Sequence, residues 1–114
     1  MTPRLNSASV TDIGDGPVVV MLHGAPDHKD EWNDLIAILS SDHRCIALDL
    51  PGMGHFGPVP AGYDYSPRAQ AEWFEAWRRQ TLGDEVFILV SHDIGSIMAA
   101  SWAALYPNPA QRVI

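Results

Sequence analysis

Three short apolar runs, each about one strand long, set the frame of the chain. Val18-Val19-Val20-Met21-Leu22 and Cys45-Ile46-Ala47-Leu48 contain no charged residue, and Val86-Phe87-Ile88-Leu89-Val90 is a segment of the same kind. Continuous runs of this length fit strands buried on both faces rather than strands with a wet side. The expected core strands therefore lie near 18–22, 45–49 and 86–90. Between the first two the period changes. Trp32, Leu35, Ile36 and Leu39 stand at i, i+3, i+4 and i+7, which predicts a helix over 30–41 with Asp30 and Glu31 at its positive end. Ser66-Pro67 predicts the start of a second helix, Trp73, Phe74 and Trp77 its buried face, and Gly83 its stop. Ile94 to Tyr106 predicts a third, Ala-rich and apolar around most of its circumference, ended by Pro107-Asn108-Pro109.

The remaining segments are weaker. Leu5 to Ile13 alternates up to Gly14-Asp15-Gly16-Pro17 and reads as a strand or hairpin closing on a turn. Met53 to Tyr65 is rich in Gly and Pro and reads as loop, and Val113-Ile114 begins a further strand. Alternation of doubly buried strands with helices predicts an α/β fold, a mostly parallel sheet flanked by helices, in a single domain over 1–114.

Charge and composition narrow the partners. Seven Lys and Arg face 14 Asp and Glu, a net charge of −7, which argues against a nucleic-acid partner because such binding needs cationic surface. No apolar run approaches the roughly 20 residues that span a bilayer, so no membrane partner is expected. The lone Cys45 has no partner for an internal disulfide and reads as a packing residue, and a cytoplasmic location is the expectation. No His, Cys, Asp and Glu cluster has zinc-like spacing, and no G-x-G-x-x-G follows the first core strand. No metal and no cofactor are expected.

In an open parallel sheet, chemistry gathers at the carboxyl ends of the strands. Three segments fall there: His23-Gly24-Ala25-Pro26, Asp49-Leu50-Pro51-Gly52-Met53-Gly54 and Ser91-His92-Asp93-Ile94-Gly95. The last has small residues two before and two after a central carboxylate, between a strand and a helix. A strand-to-helix turn this sharp forces the middle residue into strained φ/ψ and crowds its neighbours at ±2. The side chain of Asp93 is expected to stand out over the sheet. The N–H of Ile94 opens the third helix, and the N–H of Ala25 faces it from the first loop. Two such donors would make an oxyanion hole.

These three motifs, in this order and spacing, resemble the N-terminal half of an α/β-hydrolase over roughly Gly16 to Ile114. With Asp93 at the nucleophile position, the chain resembles the branch of epoxide hydrolases and haloalkane or haloacid dehalogenases, and His23-Gly24-Ala25-Pro26-Asp27 is the more epoxide-hydrolase-like feature. The resemblance implies a small-molecule substrate, such as an epoxide, halide or ester. It implies attack by Asp93 on carbon, an ester intermediate, and backbone donors at Ala25 and Ile94. It also implies further strands, a helical cap, a late acid and a late His that lie beyond Ile114. The expected architecture is thus a truncated hydrolase core without the cap, in which the general base has to be His92, His23, His28 or a group from a second chain.

Plainer readings stand beside these. Asp93 is also a favoured N-cap residue. Ser91-His92-Asp93 is not a triad in a row, because adjacent residues of a sharp turn point apart. His23 reads as a loop-holding residue before a base, and His28, His43 and His55 as surface residues. Trp32, Trp73, Trp77 and Trp102 fit core faces. Without a strand after Ile114, Val86 to Val90 is expected to expose a sheet edge and recruit a second copy as a homodimer. The alternative function is a non-catalytic half that self-associates or needs a missing segment. Ester hydrolysis by Ser91 or Ser96 is a third reading.

Overall fold

The computed structural model describes residues 5–107 and 110–114. The apolar runs become strands β2 (Val18–Leu22), β3 (Arg44–Leu48) and β4 (Phe87–Ser91). β2 is buried along its whole length and runs parallel to β3 on one side and to β4 on the other, Val18 standing opposite both Arg44 and Phe87. Two further strands, β1 (Val10–Ile13) and β5 (Ala110–Val113), complete a sheet in the order β1-β3-β2-β4-β5.

Alternation along the strands sorts side chains to two faces. Val18, Val20, Leu22, Ile46, Leu48, Phe87 and Leu89 join the larger core with Phe74, Met98 and Trp102. Those last residues come from α2 (Pro67–Thr81) and α3 (Ile94–Leu105), which pack together on that side. Val19, Met21, Cys45 and Ala47 form the smaller core on the opposite face, beneath Trp32, Leu35 and Ile36. The first predicted helix is there, but split: Lys29–Trp32 forms a 3-10 turn and Asn33–Leu39 the helix α1. The second helix starts as the sequence predicts, with the Ser66 hydroxyl accepting the Ala69 N–H and Pro67 in the first turn.

Two expectations change. β1 is not half of a hairpin with β2. It pairs antiparallel with β3, Val10 opposite Leu48 and Ile13 opposite Cys45, so the 14–17 turn carries the chain past β3 before β2 begins. The free edge is not Val86 to Val90. β5 lies parallel beside β4, across an irregularity at Phe87/Ile88, so the outer row of backbone groups on this side belongs to β5. The reason given for a dimer therefore fails for β4. Val86 itself precedes the strand and is exposed. The expected stop at Pro107-Asn108-Pro109 partly lies outside the described residues; α3 ends at Leu105, and Tyr106 is extended.

Candidate functional site

Each of β2, β3 and β4 hands the chain to a loop at the same end of the sheet, and buried polar side chains pin those loops. His23 is fully buried. Its Nε2 accepts the Leu50 N–H at 2.9 Å, which leaves the ring proton on Nδ1, 2.6 Å from the Gly24 carbonyl. Both ring nitrogens are therefore engaged: Nε2 ties the loop after β2 to the loop after β3, and Nδ1 holds the backbone of its own loop. Asp49, also fully buried, accepts the Lys29 N–H on Oδ1 and the His55 N–H on Oδ2, both at 2.8 Å. It closes the loop after β3 and anchors the 3-10 turn.

The elbow after β4 has the conformation its spacing predicts. Asp93 has φ 55° and ψ −123°, and among the described residues it is the one non-glycine with positive φ. Such backbone is held only because its surroundings over-determine it. Gly95 sits so close to β2 that a Cβ there would lie 2.5 Å from the Leu22 carbonyl oxygen and 2.6 Å from that of His23. Ser91 donates its N–H to the Ile114 carbonyl at 2.8 Å, with its hydroxyl 3.1 Å from the same oxygen. Asp93 does not cap α3 with its side chain. Its carboxyl is exposed and turns toward the first loop, where the Ala25 N–H donates to Oδ2 at 3.0 Å. The hydrogen bonds from the Ala25 amide, and next the Ile94 amide, hold this carboxyl below the usual aspartate range, with a smaller pull from the charge of His92. The group is thus an anion at neutral pH, set between two main-chain donors.

Of the residues singled out in the sequence, Asp93, Ala25 and Ile94 meet at one point. His92 is exposed and adjacent, and its Nδ1 lies 3.2 Å and 3.3 Å from the two oxygens of Glu31. His28 instead accepts the Asp30 N–H at the start of the 3-10 turn. Asp27 lies beside it: the His28 N–H first, then contact with Glu31, holds its carboxyl below the usual range. The sequence reading took Glu31 only as an acid at a helix start and missed both its reach to His92 and the buried role of Asp49. Two open grooves of about 790 and 1220 Å³ run along the 57–64 loop and α2, and Asp93 lines neither. Among the described residues, no three His, Cys, Asp or Glu side chains come close enough to share a metal ion, and no helix is long and apolar enough to cross a membrane.

A strained residue is under local tension that glycine would not feel. Asp93→Gly is therefore expected to raise the urea midpoint of unfolding above that of the parent chain, even though it deletes the carboxylate. A lower midpoint would show that the hydrogen bond from Ala25 outweighs the strain.

Fold and elbow together define an α/β hydrolase, and residues 17–114 match the family model for the alpha/beta hydrolase fold. The chain belongs to that family. It is 33% identical over 102 residues to a cis-3-alkyl-4-alkyloxetan-2-one decarboxylase of Shewanella oneidensis, covering 89% of this chain and 32% of that one. It is 31% identical over 105 residues to a haloalkane dehalogenase of Sphingobium indicum, covering 90% of this chain and 35% of that one. A crystal structure of an epoxide hydrolase from Vigna radiata superposes with a TM-score of 0.82 at 30% identity, over 91% of this chain and 34% of that one. The chain thus spans about a third of the length of the curated relatives it matches.

Proposed function

We propose that this chain carries the nucleophile half of a hydrolase in which Asp93 attacks an electrophilic carbon of a small organic molecule. The observation that carries this reading is the exposed, ionised Asp93 carboxylate with the Ala25 N–H 3.0 Å from Oδ2 and the Ile94 N–H beside it. One carboxylate oxygen supplies the electron pair for a new C–O bond. The bond from that carbon to its leaving group breaks, and the pair leaves on the ring oxygen of an epoxide or on a halide. Oδ2 becomes the carbonyl oxygen of the resulting ester. When water attacks the ester, charge collects on that oxygen, where the two amides already point. His23 is unsuited to activate the water, because both its ring nitrogens are engaged. His92, exposed and next to Asp93, is the candidate base of this chain. The names of the relatives, a dehalogenase and an epoxide hydrolase among them, support the choice of substrate class.

A second reading rests on the exposed apolar residues Ile97 and Leu105 of α3 and Val113 and Ile114 after it. In it the chain is a folded half that forms the ester without hydrolysing it, or that pairs with a second copy.

Intact-mass and peptide mapping after incubation with a small terminal epoxide, and separately with a 2-haloacid, test both. The expected result is a covalent adduct on Asp93 that Asp93→Asn abolishes. Turnover of that adduct supports the complete hydrolase, and its persistence supports the half-reaction. Absence of any adduct on Asp93 overturns the proposal.

A further inference from the structure

Glu31 stands in the 3-10 turn between β2 and α1, and its carboxylate reaches two loops at once. Oε1 accepts the Gly24 N–H at 3.0 Å, and both oxygens face His92 Nδ1, at 3.3 and 3.2 Å. The side chain is only 17% exposed although that of His92 is 62% exposed, so the acid lies beneath the loops rather than among the solvated groups around it. Its charge partner is the His92 imidazole, and the Asp27 carboxyl shares a side-chain hydrogen bond with Glu31. Gly24 and Ala25 are consecutive, and their amides go to two different carboxylates: Gly24 to Glu31, Ala25 to Asp93. The fit between the loops is close. A Cβ at Gly24 would lie 2.8 Å from Asp93 Cβ and 2.9 Å from His92 Nδ1. A loop packed this tightly presents its next amide in only one direction.

We propose that Glu31 is a positioning residue: by holding the Gly24 amide and the His92 ring, it fixes the loop after β2 against the elbow so that the Ala25 N–H points at Asp93. The consequence for reactivity rests on the reading of Asp93 as nucleophile; the geometric part does not. Without Glu31 the first of the two consecutive amides loses its acceptor, the loop turns, and the Ala25 donor leaves Asp93.

The sign of one measurement separates this role from simple charge. The Asp93 carboxyl carbon is followed by NMR through an acid titration of the whole chain and its variants. Deleting a nearby negative charge by itself lowers the Asp93 midpoint. Losing the Ala25 hydrogen bond raises it. Glu31→Ala is expected to raise the midpoint toward the ordinary aspartate value. Glu31→Gln keeps an acceptor oxygen for Gly24 and is expected to leave it at or below the parent value. Adduct formation on Asp93 is expected to fall on the order of 10²-fold in Glu31→Ala, the scale of a small misplacement of a reacting group, and to recover in Glu31→Gln. Should Glu31→Ala lose its native fold, Glu31→Asp serves instead: it keeps the charge on an arm too short to span both loops, and its midpoint is expected to rise likewise. A folded Glu31→Ala or Glu31→Asp whose Asp93 titrates as in the parent overturns the proposal. An adduct absent from every variant, with the midpoints moving as described, instead overturns the reading of Asp93 as nucleophile and leaves the positioning intact.

Discussion

Replacing Arg78 with Met is expected to remove about 3–5 kcal/mol of stability, the cost of leaving one member of a buried ion pair without the other. Arg78 and Glu75 are 8% and 9% exposed. The guanidinium grips the carboxylate with two bonds of 2.8 Å and gives a third, of 2.7 Å, to the Gly83 carbonyl. Glu75 Oε1 also accepts the Trp102 indole N–H at 2.9 Å, so the same carboxylate fastens α2 to α3. Met fills the space but leaves an anion, an indole and a carbonyl with fewer partners. Domains of this size are stable by only about 5–15 kcal/mol, so urea unfolding would register the loss plainly. The double variant Glu75→Gln with Arg78→Met is expected to recover much of it.

The pH dependence of the same variant is expected to reverse in sign. In the parent chain, Arg78 first and the Trp102 hydrogen bond next hold the Glu75 carboxyl below its usual value of 4.5. A carboxyl lowered in the folded state adds stability that is fully present above its unfolded value and is lost as pH falls through the folded one. With Arg78 gone, burial dominates and raises the carboxyl. Glu75 alone then costs more stability at neutral pH than in acid, and Arg78→Met is expected to lose less stability relative to the parent at pH 4 than at pH 7. Equal losses at both values would show that Glu75 is not charged in the fold.

Gly95→Ala is the second large effect, expected near 3 kcal/mol, at the upper end for overfilling a packed site. The added methyl would meet the carbonyls of Leu22 and His23 at 2.5 and 2.6 Å, and both are main-chain atoms leading out of the central strand. No flexible side chain can yield there. The helix must lift off β2, and that lifts the N–H of Ile94 away from Asp93. Loss of the urea midpoint should therefore come with a rise in the Asp93 titration midpoint. A stable variant with unaltered titration would mean that the elbow can be displaced without harm.

What the sequence makes legible divides along one physical line. The three buried strands are visible because burial on both faces leaves an uninterrupted apolar run, and the elbow is visible because crowding acts on neighbours two residues away. Both are local signals. The partner of β1 is not local: Val10 lies opposite Leu48, and nothing in four residues of weak alternation points to an antiparallel neighbour so far along the chain. β5 shows only its last residue, Val113, since Ala110-Gln111-Arg112 carries mixed polarity. The site divides in the same way. Asp93, Ala25 and Ile94 are readable from motif positions, whereas Glu31 meets His92 across 61 residues and looks in sequence like an ordinary acid opening a helix. Glu75 and Arg78, three apart, resemble a solvated helix pair until the indole of Trp102 arrives from 27 residues away.

The donors that face Asp93 belong to the main chain at positions 25 and 94, not to side chains. A substitution at Ala25 or Ile94 leaves the N–H that faces Asp93 in place, with proline as the exception because it has no N–H to give. Ala25 is exposed whereas Ile94 packs partly against the larger core, so the cradle around the Asp93 charge tolerates a change of side chain most freely at Ala25.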